Sequence, residues 1–233
     1  MYKVNPNGDF DFINTTYVAD KFHVNENLIF MAENYFLYED ASILHILDKE
    51  NGNLMEEINI GHEEFLEIFS IENDYYFYTY EEITNNTPDF LYLYKNGVKL
   101  FTRNLSNNYG IYKYEIDEEG TLLFATDYSG ERKLNKIDIN NSYSYYNTSD
   151  DIATFKTFKN GNIFLYLDDN STLILDENLN FITLGETINT HNPYLMALEN
   201  YMLLGTSFEN SVRIINQKGE IIDYFKTKGF LHN

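Results

Sequence analysis

The sequence contains no cysteine and no tryptophan, and only 3 of its 233 residues are proline. Without cysteine the chain can form neither a disulfide framework nor a thiolate metal site, and thiol catalysis is excluded. No apolar run approaches the ~18 residues of a membrane-spanning helix, so we predict no membrane association. The first residues lack a charged segment followed by an apolar run, which predicts no secretory signal and a cytoplasmic location.

Positive charge is scarce as well, because 16 basic residues face 37 acidic ones and the formal net charge is −21. A field of this sign repels nucleic acid and anionic membranes, and it speeds encounter with basic partners. We therefore expect a basic protein partner and no nucleic acid, with plain solubility as the alternative reason for the charge. The abundance of Asn, Ile, Tyr and Phe indicates AT-rich codons and hence a bacterial or phage origin.

Aromatic residues are abundant, with 21 Tyr and 18 Phe, and hydrophobic residues make up 43% of the chain. This apolar content is enough to offset the conformational entropy that folding removes, so the chain is not disordered. Aromatic and β-branched residues favour strands, and no segment has a convincing helical pattern. The composition therefore predicts an all-β fold.

A four-stranded unit repeats along the chain. Residues 28–38 resemble residues 194–204, and both segments continue into a short apolar strand, a turn containing Lys and Gly, and an alternating strand. The first strands of the units are predicted near residues 28, 64, 110, 152 and 194, which gives a period of about 42. Because propeller blades repeat every ~40–50 residues, we predict a β-propeller of four-stranded blades. The strand at 74–80 is aromatic on both faces, as expected for a strand packed between two blades.

The number of blades depends on the two ends of the chain. Residues 1–24 read as further short strands, and residues 229–233 could add one more. Together they would build a sixth blade that closes the ring and removes its edges. Six blades in a single domain over residues 1–233 are favoured, and five blades with an N-terminal extension are the alternative.

Several units end a strand with Asp-Glu-Glu-Gly (117–120) or Lys-Asn-Gly (159–161) before the next strand begins. In this respect residues 27–226 resemble the generic blade of NHL-like and related bacterial propeller proteins. The resemblance implies the propeller fold, and it assigns no function because fold and function are separable.

The sequence contains no recognisable catalytic motif. Its five histidines have no zinc-binding spacing, and there is no nucleophile elbow, phosphate loop or dinucleotide fingerprint. We therefore predict no catalytic residue, no metal and no cofactor. A metal-dependent propeller hydrolase remains a second alternative function, and it would hold a cation on the ring axis.

Topology sorts the acidic residues onto one end of the predicted ring. In a propeller, the connections between second and third strands and those between successive blades lie at the same end. Acidic residues predicted there as partner-binding residues are Glu39, Asp40, Glu63, Glu64, Glu81, Glu82, Asp150, Asp151, Asp168 and Asp169. We interpret this end as the surface of a non-enzymatic interaction protein, of the immunity or inhibitor type, that binds or neutralises a basic protein. The first alternative is a small-ligand or carbohydrate-binding propeller.

Overall fold

The computed structural model describes residues 2–4, 10–12, 19–34, 41–81, 88–107, 110–128, 131–190, 193–206 and 211–226. These residues form 22 β-strands and no helix. The strands make one two-stranded sheet and five four-stranded antiparallel sheets. The chain divides into two compact units, Met1–Tyr109 with Glu118–Gly120 and Gly110–Asp117 with Thr121–Asn233. The single domain predicted from the sequence stays a prediction.

The first unit contains the two-stranded sheet and the first two four-stranded sheets. The two-stranded sheet pairs β1 (Tyr2–Val4) with β2 (Phe10–Phe12). The first four-stranded sheet consists of β3 (Lys21–Val24), β4 (Leu28–Glu33), β5 (Ser42–Asp48) and β6 (Leu54–Gly61). The second consists of β7 (Glu64–Ile71), β8 (Asp74–Glu81), β9 (Pro88–Lys95) and β10 (Val98–Asn107).

The second unit contains the other three sheets. The third sheet consists of β11 (Gly110–Ile116), β12 (Leu122–Tyr128), β13 (Glu131–Ile137) and β14 (Tyr143–Asn147). The fourth consists of β15 (Ile152–Thr157), β16 (Ile163–Leu167), β17 (Thr172–Leu175) and β18 (Phe181–Leu184). The fifth consists of β19 (Pro193–Ala197), β20 (Tyr201–Thr206), β21 (Ser211–Asn216) and β22 (Ile221–Lys226).

Within each sheet the strands pair in chain order, so consecutive connections alternate between its two ends. We call the end at which the first strand begins the entry end, and the second-to-third connection lies there too. The third-to-fourth connections lie at the opposite end. In the second sheet this connection is Asn96-Gly97, where both residues have positive φ, 47° and 76°. Such values match the type I′ turn that tight hairpins favour, as the sequence predicts.

The middle strand β16 is buried on both faces. All five residues of β16 are buried, and they alternate between two apolar clusters. Leu165 packs with residues of the third sheet, including Leu123 and Leu134. Phe164 packs instead with residues of the fifth sheet, including Met202. This alternation confirms that apolar side chains on both faces mark strands that lie between two sheets.

One detail of the repeat prediction was wrong. The first repeat begins at Lys21, because β3 pairs with β4 as the first strand of its sheet. Residues 28–33 are therefore a second strand, equivalent to β20 rather than to β19. The described residues form five four-stranded sheets, which fits the five-blade alternative. The predicted sixth sheet is not among them, since β3 is already used and the tail at 229–233 lies outside the described residues.

Candidate functional site

The second unit contains an open cavity of about 810 Å³. Its wall is built at the entry ends of three sheets, where β11, β15 and β19 begin and where β16 turns into β17. The residues that line it are Tyr112, Lys113, Asp151, Ile152, Ala153, Tyr166, Asp168, Asn170, Thr190, Pro193 and Tyr194. The cavity therefore combines polar and charged groups with three tyrosines.

The turn between β16 and β17 supplies the acidic side of the cavity. The Asp168 N–H donates a hydrogen bond to the Asp151 carbonyl at 2.9 Å, which ties this turn to the segment before β15. The Asp169 carboxylate accepts from the Ser171 N–H at 2.8 Å and so stabilises the turn itself. Asn170 adopts a positive φ of 69°, a conformation that asparagine tolerates better than most residues. These contacts hold Asp168 and Asp151 side by side.

Asn170 and Tyr166 fix the segment that precedes β19. The Tyr166 hydroxyl oxygen lies 2.7 Å from Asn170 Oδ1 and 2.7 Å from the Ile188 carbonyl oxygen, so it can donate its hydrogen to either acceptor. The Asn170 side-chain oxygen accepts a hydrogen bond from the Thr190 N–H at 3.3 Å. The main-chain carbonyl of Asn170 accepts one from the Ile188 N–H at 3.0 Å. A segment with no regular structure is thus held against the cavity wall by satisfied polar groups.

Charge at the cavity is only partly neutralised. Arg132 donates through Nε to Asp151 at 2.5 Å, and its Nη1 lies 3.7 Å from the Asp150 carboxylate. Within the described part of the chain, Asp168 and Lys113 make no side-chain hydrogen bond or ion pair. Burial, together with the negative charges of Asp151 and Asp150, raises the pKa of Asp168, and Lys113 and Arg132 oppose that rise. Asp168 therefore carries a carboxylate whose charge has no direct partner in the part of the chain that the structure describes.

Thr190 adds a polar group without a partner. Its side chain is 6% exposed, and it lines the cavity. The hydroxyl oxygen is buried and has no hydrogen-bond partner among the described residues. A buried polar group in this state costs roughly 1–3 kcal/mol, so a ligand that bonds to it recovers that free energy.

The predicted partner-binding residues fall into three groups. Glu39, Asp40 and Glu82 lie outside the described residues. Asp150, Asp151, Asp168 and Asp169 are brought together at or beside the cavity of the second unit. The other three, Glu63, Glu64 and Glu81, belong to the first unit.

Glu63, which the sequence analysis predicts as a partner-binding residue, is a buried residue of the first unit. Glu63 is 7% exposed, accepts hydrogen bonds from the hydroxyls of Thr79 and Tyr94, and pairs with Lys99 at 2.8 Å. Glu81 is half-buried and accepts from the Tyr92 hydroxyl at 2.6 Å. Glu64 alone of these three is exposed. Two of the three acids thus stabilise the fold of the first unit.

Sequence reasoning predicted none of the uncharged residues that line the cavity. Tyr112 and Tyr194 lie near the beginnings of first strands, a position shared by equivalent strands of a repeat. That shared position is a signal that could have identified them. Thr190 gives no such signal, because it lies in an irregular connection whose path only the folded chain determines.

No group of three or more His, Asp or Glu side chains within the described ranges is arranged to hold a metal ion. Across the same part of the chain there is no helix with the length and apolar character to cross a membrane.

No protein-family model matches the sequence, and no curated protein matches it either. Similar solved structures exist. A crystal structure of the eukaryotic initiation factor matches 97% of this chain at 11% identity with a TM-score of 0.66. The Dos1 propeller matches 98% at 12% identity and a TM-score of 0.68, and the computationally designed Ika8 protein matches 96% at 10% identity and 0.65.

These similarities identify the fold as a β-propeller, in agreement with the resemblance to bacterial propeller proteins noted in the sequence. The chain spans 62%, 66% and 67% of the length of the three structures, respectively. At such low identity the similarity shows the fold alone, and the propeller fold hosts many kinds of binding site.

Proposed function

We propose that this chain is a non-enzymatic binding protein that engages a basic protein partner through the cavity in its second unit. The contact would be made by an acidic rim that consists of Asp150, Asp151, Asp168 and Asp169. One observation carries the proposal: Asp151 and Asp168 line one open cavity, and each has a second aspartate beside it in the chain, Asp150 and Asp169. Arg132 and Lys113 are the basic side chains nearby. Concentrated negative charge next to a concave surface attracts cationic groups and speeds their association.

The composition of the chain also bears on the organism and the compartment in which this binding would occur. The formal net charge of −21 and the abundance of Asn, Ile, Tyr and Phe support an acidic protein of bacterial or phage origin. We infer that it acts in the cytoplasm, where it would occupy or neutralise a basic protein in the manner of an inhibitor or immunity protein.

Selection from a library of random short peptides tests the proposal. We expect the peptides enriched on the immobilised protein to be rich in lysine and arginine. The variant Asp168→Lys should weaken peptide binding by about tenfold or more, because it replaces a negative carboxylate with a positive charge that repels the basic peptides. Fluorescence anisotropy at two salt concentrations measures both the affinity and its salt dependence, which should also decrease in the variant.

Glu118→Lys is the matched control for this charge reversal. Glu118 is exposed and lies in the turn between β11 and β12, at the end of the third sheet opposite its entry end. The variant has the same net charge as Asp168→Lys, so it should bind the peptides almost as the unaltered protein does. Equal losses in the two variants, or enrichment of peptides without basic residues, would contradict the proposal.

A small organic ligand is the second candidate occupant. Ligand sites commonly enclose ~300–1,000 Å³ and have mostly apolar and aromatic walls with a few polar groups. The volume of about 810 Å³ and the three tyrosines fit that description. This candidate predicts that peptides show no preference for basic residues, so the same selection separates the two functions.

A further inference from the structure

The cavity offers a single unpaired carboxylate beside aromatic surface. Asp168 makes no side-chain hydrogen bond within the described ranges, whereas the neighbouring Asp151 is already bonded to Arg132. Tyr112 and Tyr194, which are 43% and 40% exposed, line the same cavity. A carboxylate with tyrosine rings nearby suits a planar cation, since guanidinium groups both pair with carboxylates and stack on aromatic faces.

The cavity wall also contains an acceptor that lacks a donor. Thr190 Oγ1 is buried and has no partner among the residues that the structure describes, and its staggered χ1 rotamers allow the hydroxyl to turn toward a donor in the cavity. Arginine presents five N–H donors and no acceptor, so one guanidinium can bond to more than one oxygen of the wall.

We propose that the cavity receives one arginine side chain of the partner, with its guanidinium paired to Asp168, bonded to Thr190 and packed on the tyrosine wall. This inference rests on the proposed function, because it names the group through which the basic partner is held. It adds that recognition depends on the planar cation and the aromatic wall as well as on the negative charge of the rim.

Binding of N-acetyl-arginine amide, measured by NMR titration, tests the inference directly. N-acetyl-citrulline amide has nearly the same shape without the charge, and we expect it to bind at least about tenfold more weakly. N-acetyl-lysine amide should be intermediate, because its ammonium pairs with a carboxylate as a point charge and has no planar face to stack. Similar binding of the arginine and citrulline compounds would overturn the inference.

Three variants assign the binding to this cavity. Asp168→Asn should reduce the affinity for the arginine compound to the level of the citrulline compound. Thr190→Val keeps the side-chain shape and removes the hydroxyl, and it should weaken binding by several-fold. Tyr194→Ala should weaken it similarly by removing aromatic surface. Glu118→Gln is the control, and an equal loss in this variant would overturn the inference.

Failure of the inference is distinguishable from failure of the proposed function. If selected basic peptides lose affinity in Asp168→Lys but retain it in Thr190→Val and Tyr194→Ala, the acidic rim binds the partner and no arginine enters the cavity. If no basic peptide binding depends on Asp168, the proposed function itself is contradicted.

Discussion

Replacement of Phe164 by alanine is expected to lower the free energy of unfolding by about 3–5 kcal/mol. The phenylalanine is completely buried, and it lies in the apolar cluster between the fourth and fifth sheets. Its removal leaves a cavity lined by side chains that include Met202 and Ile215, and strands fixed on both sides relax only partly into it. Urea unfolding followed by circular dichroism measures the loss.

Phe181→Ala is the control for this prediction. Phe181 lies on β18 in the same sheet, but it is 51% exposed. Truncation of a side chain that is half in water should cost less than about 1 kcal/mol. Equal losses at the two positions would mean that the fourth and fifth sheets do not pack face to face as described.

Glu63→Ala is expected to destabilise the protein by about 2–3 kcal/mol, near the low end for breaking a buried ion pair. The carboxylate is the acceptor for the completely buried Thr79 hydroxyl and for Tyr94. Its charge also balances Lys99, whose ammonium lies 3.7 Å from the centre of the Tyr92 ring. Lys99 is partly exposed and can turn to water, which limits the loss.

Tyr94 stays a hydrogen-bond donor at neutral pH in this arrangement. Burial is the main cause that raises the pKa of its hydroxyl, and the charge of Glu63 adds to it. The phenol therefore keeps its proton, and loss of the carboxylate leaves a donor with no acceptor. Glu63→Gln retains the acceptor oxygen and should lose less stability than Glu63→Ala.

The adjacent Glu64→Ala provides the control, with an expected change within about 0.5 kcal/mol because Glu64 is exposed. Thermal and urea unfolding of the three variants measure these differences. A loss at Glu64 as large as that at Glu63 would show that the buried network does not stabilise the first unit.

The contrast between Glu63 and Glu64 illustrates what the sequence could not predict. Both are acidic residues at the start of a strand, and the order of strands places both at the entry end of the second sheet. Which side chain turns inward depends on the residue at which β7 begins, because side chains alternate along a strand. A shift of one residue reverses the assignment, and sequence patterns rarely locate a strand boundary that closely.

The repeat could be predicted because each four-stranded unit has the same succession of apolar strands and polar turns. The starting strand of the first unit was misassigned because β3 has only four residues, Lys21–Val24, with polar and apolar side chains mixed. The more apolar β4 therefore read as the beginning of the unit. This error also left the residues of β3 free to be assigned to a sixth blade.

The acidic side of the candidate site could be predicted from topology, whereas its other walls could not. Asp151 and Asp168 occupy connections that strand order assigns to one end of the sheets. Thr190 reaches the cavity only because Tyr166 and Asn170 hold an irregular segment in place. Lys113 was missed because the sequence around a basic residue in a first strand does not show which charged groups it will face in the folded chain.

The most direct test of the binding account is an NMR measurement of the Asp168 side-chain pKa with and without N-acetyl-arginine amide. In the free protein, burial and the neighbouring acids hold this pKa above that of an ordinary aspartate. A cation bound at the carboxylate favours its charged form, so we expect the ligand to lower the pKa of Asp168. An Asp168 pKa that does not change at saturating ligand would contradict the account.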